Sequence, residues 1–389
     1  MSNSLPMDRR IHAIDAVRGF CLLNIFVNHV TLGVLHELSP SKLGFCDSAD
    51  IFVFLAGVSA FLAYGGTSRG FQFGEARQRM WRRAMQLYAF NVGILAAAFA
   101  IITASDALAP MGGATLPPHA VMSSAGWLTY LWHVLTFQQS IGFSMVLRLY
   151  VFLLIVGPAY VWLAARRYWY PLVPAAILWL VAGHFGLAER DSLTGQALSM
   201  TFLPWNLVFA AGISLGAAIR ARVELPSEPA LRWSALAIVT GGSLLITLGG
   251  HVSADLFAWL EFRNDFFWTG ISKTLQSPLR ILYLGALAYV FIAYAKAPLV
   301  GLFHGLRADN MLCRLGRRSL EVFTFGAIFA LVADNLLWLL NQTAGMALRS
   351  PAAFALELVL TSVGVAGMLW VASANEGRPQ MVPARAAAE

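Results

Sequence analysis

Apolar runs close to the length of a bilayer crossing recur along the whole chain, and no other feature limits its fold so strongly. A helix needs about 20 predominantly apolar residues to cross the hydrocarbon core. Stretches of that kind occupy 14–36, 47–65, 81–104, 145–165, 170–187, 198–219, 231–251, 279–297, 318–340 and 352–374, with Gly, Pro and charged breaks between them. The expected fold class is therefore all-α, a polytopic membrane bundle of about ten helices with residues 1–374 as one domain. The polar tail 375–389, NEGRPQMVPARAAAE, is too poor in apolar residues to bury a core and is expected to be disordered.

The charge pattern sets the orientation. Only 12% of residues are charged, against roughly 25% in an ordinary soluble domain. A net charge of +7 would suggest a nucleic-acid partner in a soluble protein, but here the basic residues are spaced thinly between apolar spans. That is the pattern of a topology signal, and nucleic acid is discounted. With the N-terminus inside, only Lys42, Arg148, Arg190, Arg263, Lys273, Arg280 and Arg349 of the 27 Lys and Arg residues fall outside. Both termini are thus expected in the cytoplasm, together with the cluster Arg69, Arg77, Arg79, Arg82 and Arg83, read as topology determinants at lipid headgroups. Residues 126–139, GWLTYLWHVLTFQQ, are too short to cross, and counting them as a span would turn later basic loops outward. They are expected to form an interfacial amphipathic helix. The aromatic and charged segment 252–278 is the expected outer lid. Cys21, Cys46 and Cys313 have no metal-ligand spacing and imply no disulfide framework.

Against this apolar background, the ionisable residues of the first two spans stand out. In a helix of 3.6 residues per turn, Asp15, Arg18, Leu22, Ile25 and His29 fall within an arc of about 80°, so three polar groups share one stripe. A charge at the centre of a spanning helix costs about 2.5–3.5 kcal/mol on insertion scales, and such groups face a cavity or a partner. His29 lies about 16 Å along the axis from Arg18, so Asp15 and Arg18 work near the cytoplasmic face and His29 near the outer leaflet. Asp47 and Asp50 begin the second span at matching depth. Asp47 is read as a helix cap, and Asp50 as a carboxylate that could orient His29 and stabilise its charged form, as a general base requires. Small residues at Ala56, Gly57, Ala60 and Ala63 let this helix approach a neighbour closely.

The stretches RIHAIDAVRGFCLLNIFVNHV and KLGFCDSADIFVFLAGVSAFLAYG resemble the start of OpgC-type membrane proteins, named for succinylation of osmoregulated periplasmic glucans. The D-x-x-R-G and N-H elements of that family stand here as Asp15, Arg18, Gly19, Asn28 and His29. Further similar blocks follow in the same order at 145–158, 203–216, 273–289 and 315–326. Tyr283 departs from the pattern, standing where a histidine is expected after the P-L-R element. The resemblance implies a bacterial inner-membrane acyltransferase that uses acyl-CoA, with succinyl-CoA a candidate, from the cytoplasm to modify an extracytoplasmic glycan. It also implies His29 as the catalytic residue.

On that basis His29 is expected to act as general base with Asp50 or Asp47 orienting it, and an acyl-histidine intermediate is the competing route. No G-x-S-x-G elbow and no Gly-rich phosphate loop is present, so arginines must meet the coenzyme A phosphates. Arg18 is the expected coenzyme ligand with Asp15 beside it, and a purely structural Asp15–Arg18 pair is the alternative. Asn28, Arg148, Trp205, Asn206, Lys273 and Arg280 are the expected acceptor-side pocket, where an arginine fork suits a carboxylate and an indole face suits a sugar. The bland reading of Trp205 is a residue of the interfacial aromatic belt. A secondary transporter or exporter of a polar or anionic solute is the main rival function, because intramembrane Asp, Arg and His also build substrate pathways. Membrane lipid is a necessary partner, and the sequence leaves the oligomeric state open.

Overall fold

A computed structural model describes residues 11–39, 43–66, 70–108, 126–138, 144–224, 226–252, 267–268 and 270–374. The tail 375–389, Lys42, Arg69 and most of the expected outer lid, including Arg263, lie outside the described residues. Among these residues the chain's regular elements are helices, joined by loops with one isolated β-bridge between Arg190 and Ala197. Its helices are α1 (His12–Asn28), α2 (Ser48–Tyr64), α3 (Phe73–Leu108), α4 (Trp127–Leu135), α5 (Ser144–Arg166), α6 (Leu172–His184), α7 (Phe202–Arg220), α8 (Pro229–Val252), α9 (Pro278–Ala293), α10 (Pro298–Gly305), α11 (Met311–Arg317), α12 (Ser319–Ala344) and α13 (Pro351–Ser373).

Each of the ten apolar stretches contains a helix, but they differ in reach. Six are long and apolar enough to cross a membrane: α3, α5, α7, α8, α12 and α13. A seventh results if α9 and α10, bent by 74° at their junction, count as one broken span. Helices α1 and α2 have 17 residues each and α6 has 13, short of a full crossing. The first helix ends well before the expected residue 36, because the chain turns at His29 into a loop and a short 3-10 turn, Leu35–Leu38. Helix α4 covers the expected interfacial segment with Trp127, Leu128 and Trp132 exposed and Tyr130 and Val134 buried.

The centre of the bundle is α2, which packs on α1, α5 and α7. Its contact with α7 is set by glycines. A Cβ on Gly57 would lie 2.2 Å from the Phe209 carbonyl oxygen, and one on Gly212 would lie 2.0 Å from that of Phe54. Backbones so close gain packing and leave no lipid-sized gap. Where α2 ends, Arg220 of α7 donates to the carbonyls of Gly66 at 2.7 Å and Leu62 at 2.5 Å, satisfying acceptors that the helix leaves open. Helix α1 meets α11 in the same manner. Gly19 sits against the Leu312 carbonyl, and Gly316 against that of Asp15. By contrast α8 and α13 keep most of their apolar side chains on the outside of the bundle, as lipid-facing helices do.

Candidate active site

Two polar features flank α1 and α2, one at each end. At the start of α2, Asp47 is the N-cap: its carboxylate accepts from the N–H groups of Ala49 at 2.8 Å and Asp50 at 3.4 Å. Asp50 returns the bond to the Asp47 N–H at 2.8 Å, completing a capping box. Both carboxylates also meet the segment leading into α9. Lys273 Nζ lies 2.5 Å from Asp47, Gln276 Nε2 donates to Asp50 at 2.6 Å, and Arg280 forms a buried ion pair with Asp50.

That segment, Ile271–Ser277, is itself held inside the protein. The Trp205 indole donates to the Lys273 carbonyl at 3.1 Å, Thr201 to that of Thr274 at 2.5 Å and Trp179 to that of Gln276 at 2.6 Å. Gln276 has φ +51°, a left-handed backbone that a non-glycine residue adopts only when its surroundings enforce it. The bonds from Trp179 and to Asp50 are that enforcement.

His29 follows the last residue of α1 and is half-buried, with Asn28 half-buried beside it. Its Nδ1 lies 2.5 Å from the carbonyl oxygen of Ile25, one turn back. The ring is within electrostatic reach of both Asp47 and Lys273. The structure therefore groups His29 with the head of α2, while assigning both Asp50 oxygens to Arg280, Gln276 and the Asp47 amide. At Nδ1 the ring meets a main-chain carbonyl one turn back.

The second feature is a cavity of about 200 Å³ toward the other end of the same two helices. One face of α2 lines it from Phe52 through Ala56, Ala60 and Ala63 to Tyr64, and Arg18 and Arg83 supply its positive charge. The small residues of α2 thus divide their work: Gly57 meets α7, whereas the alanines leave space. Arg18 donates to the Ser319 hydroxyl at 2.9 Å, and its guanidinium stands 5.4 Å from the Phe52 ring centre. Tyr150, also on the wall, donates to the Phe52 carbonyl at 3.1 Å and feels the charges of both arginines.

The remaining expected residues disperse. Asp15 is buried with its main chain on Gly316 and is not among the cavity-lining residues. Arg148 bonds the Phe137 carbonyl at 2.9 Å and Glu189 at 3.2 Å, tying the end of α4 to the loop before α7. Trp205 has no exposed surface, so its ring is neither a belt residue nor a face on which a sugar can stack. Asn206 donates to the Phe202 carbonyl within its own helix at 2.7 Å. Tyr283 bonds Ser243 at 2.9 Å and packs against Phe45, joining α9 to α8. Two residues were missed. Arg83 looked like one more member of a basic topology cluster, and only the turn of α3 that presents it to the cavity sets it apart. Gln276 lay within the family-similar block 273–289 but, as an uncharged side chain in a loop, did not stand out there.

Comparison with known proteins gives one family match. A family model described as OpgC protein matches residues 10–377. No curated protein and no solved structure matches the chain. The match covers nearly the whole sequence, including both polar features and every described helix, and the chain therefore belongs to the OpgC family of glucan-modifying membrane proteins.

Proposed function

We propose that the protein is an O-acyltransferase that moves an acyl group from acyl-CoA, with succinyl-CoA the candidate donor, to a hydroxyl of an extracytoplasmic glycan. In this reading the helices make about ten crossings of a bacterial inner membrane, with both termini in the cytoplasm and the short helices α1, α2 and α6 sheltered within the bundle. The donor enters the Arg18–Arg83 cavity from the cytoplasmic side and lies along the alanine face of α2. The acceptor arrives from outside at His29, Asn28 and the partly exposed Lys273–Asp47 pair.

The chemistry balances without a further reactant. The hydroxyl oxygen bonds to the thioester carbonyl carbon as His29 Nε2 takes its proton. The carbon–sulfur bond then breaks, and the imidazolium returns the proton to the departing coenzyme A thiolate. Arg18 and Arg83 hold the anionic donor. Arg280, Gln276 and Lys273 fix the head of α2 so that Asp47 and Lys273 keep a constant field around His29.

The observation that carries this reading is the continuity of α2. Its alanine face lines the arginine cavity up to Phe52, and two residues beyond stands Asp50, at the end of the helix that His29 adjoins. A transporter would place similar charges along a solute path, and the experiment separates the two. Acyl-labelled acyl-CoA is supplied to the cytoplasmic face of vesicles holding the full chain, with glycan on the other face, using wild type and His29→Ala. Ester-linked label on the glycan that vanishes in the folded variant supports acyl transfer. Passage of an intact solute without ester overturns it.

A further inference from the structure

We propose that Asp334 and Glu357 are positioning residues for His29: two buried carboxylates on α12 and α13 that clamp the chain immediately after it. Both sit outside the Arg18 cavity and outside the Asp47–Asp50 cluster, and the mechanism above uses neither. This inference rests on His29 acting as the base.

Where α1 ends, the N–H groups of His29 and Val30 still reach back to Phe26 at 3.1 Å and Val27 at 3.2 Å. The next residues have left the helix and need other acceptors, because a buried N–H without one is strongly unfavourable. Asp334 accepts the Thr31 hydroxyl at 2.7 Å and the Leu32 N–H at 3.0 Å. Glu357 accepts the N–H groups of Val34 and Leu35, both at 2.8 Å, one on each oxygen. Four oxygens thus meet four donors within five residues.

The skipped residue, Gly33, explains how Glu357 comes so near. A Cβ there would lie 2.0 Å from a Glu357 carboxylate oxygen, so any larger residue would push the acid away. An ionised carboxylate also suits the site better than an amide, which would turn its own NH2 group toward a backbone N–H. His29 is consequently fixed on two sides. Its ring is tied to Ile25 within the helix, and the chain that follows is tied to two helices more than 300 residues away. Small shifts of a base against its acceptor proton are expensive, which is what such a clamp prevents.

The test compares wild type with Asp334→Asn, Glu357→Gln and Gly33→Ala, each as the full chain in detergent. Hydrogen exchange is read by mass spectrometry, and steady-state kinetics are measured with succinyl-CoA. The expected result is at least tenfold faster exchange across 30–38 with α2 unchanged, a kcat at least tenfold lower, and a donor KM within twofold. Gly33→Ala should match Glu357→Gln although both acids remain, which separates clamping from simple loss of charge. Unchanged exchange in all three variants, or faster exchange with full kcat, overturns the proposal. Should wild type transfer no acyl group, the acyltransferase reading falls by itself, and the exchange data alone decide whether the loop is clamped.

Discussion

His29 Nδ1 lies 2.5 Å from the carbonyl oxygen of Ile25. A carbonyl only accepts, so Nδ1 carries a proton, and in the neutral ring this is the tautomer that leaves the lone pair on Nε2, as a general base needs. In the proposed reaction, replacing the ring removes the proton acceptor. His29→Ala and His29→Gln should each lower kcat by about 10²–10⁴-fold, the usual contribution of general-base catalysis. Donor KM should stay within a few-fold, and gel filtration should show an unchanged folded species. A variant with wild-type kcat would remove His29 from the reaction.

The Asp50–Arg280 pair makes a different prediction, about stability. Both side chains are buried: without Arg280 the Asp50 carboxylate loses its ion-pair partner, and without Asp50 the guanidinium keeps only Asp47, 4.0 Å away. Asp50→Asn or Arg280→Met should each cost about 3–5 kcal/mol, measured by unfolding in detergent. The double variant Asp50→Leu with Arg280→Met should recover most of that loss, since a buried pair seldom outdoes well-packed apolar residues of like volume. Lys273→Gln, at the partly exposed Asp47, should cost far less.

How much of this was legible in the sequence depended on the range of the interaction. The apolar runs marked every stretch that folds as a long helix, because the need to satisfy backbone groups in an apolar setting acts locally. Arg18 was legible for the same reason, as a charge set within an apolar run. What the runs could not show was where α1 stops, since the acids that receive the loop after His29 are more than 300 residues distant. Arg280 reaches Asp50 across 230 positions, so in the sequence Arg280 looked like a substrate ligand and Asp50 like a partner for His29. Trp205 read as a pocket or belt residue because hydropathy does not tell an indole at a surface from one enclosed between helices. Arg83 was hidden among neighbours of identical composition that face outward.

The cavity predicts a separation between binding and chemistry. Arg18→Gln and Arg83→Gln each remove one charged contact, and such hydrogen bonds are worth about 1.5–3 kcal/mol. Donor KM should rise by roughly tenfold or more while kcat changes less. Ala60→Phe should fill much of the 200 Å³ space and block donor binding outright, with little effect on the outer cluster. Isothermal titration with a non-reactive coenzyme A thioether checks both, and undiminished binding by Ala60→Phe would place the donor elsewhere.

Both polar features depend on the α2–α7 seam. At Gly212 an added methyl would meet the Phe54 carbonyl oxygen at 2.0 Å and the Gly57 Cα at 3.0 Å. Both are backbone atoms, so no side chain can swing aside and the helices must separate. Overpacking of this kind costs about 1–3 kcal/mol or more. Gly93 and Gly241 are also helical but meet nothing within 4 Å, so Gly93→Ala and Gly241→Ala should be neutral or should stabilise by roughly 0.5–1 kcal/mol through backbone entropy. Since α2 carries the alanine face at one end and Asp47 with Asp50 at the other, Gly212→Ala should weaken donor binding and turnover together. The two control substitutions should leave both intact. Thermal unfolding in detergent, with donor titration on the same samples, distinguishes a seam that sets the site's geometry from one that merely fills space.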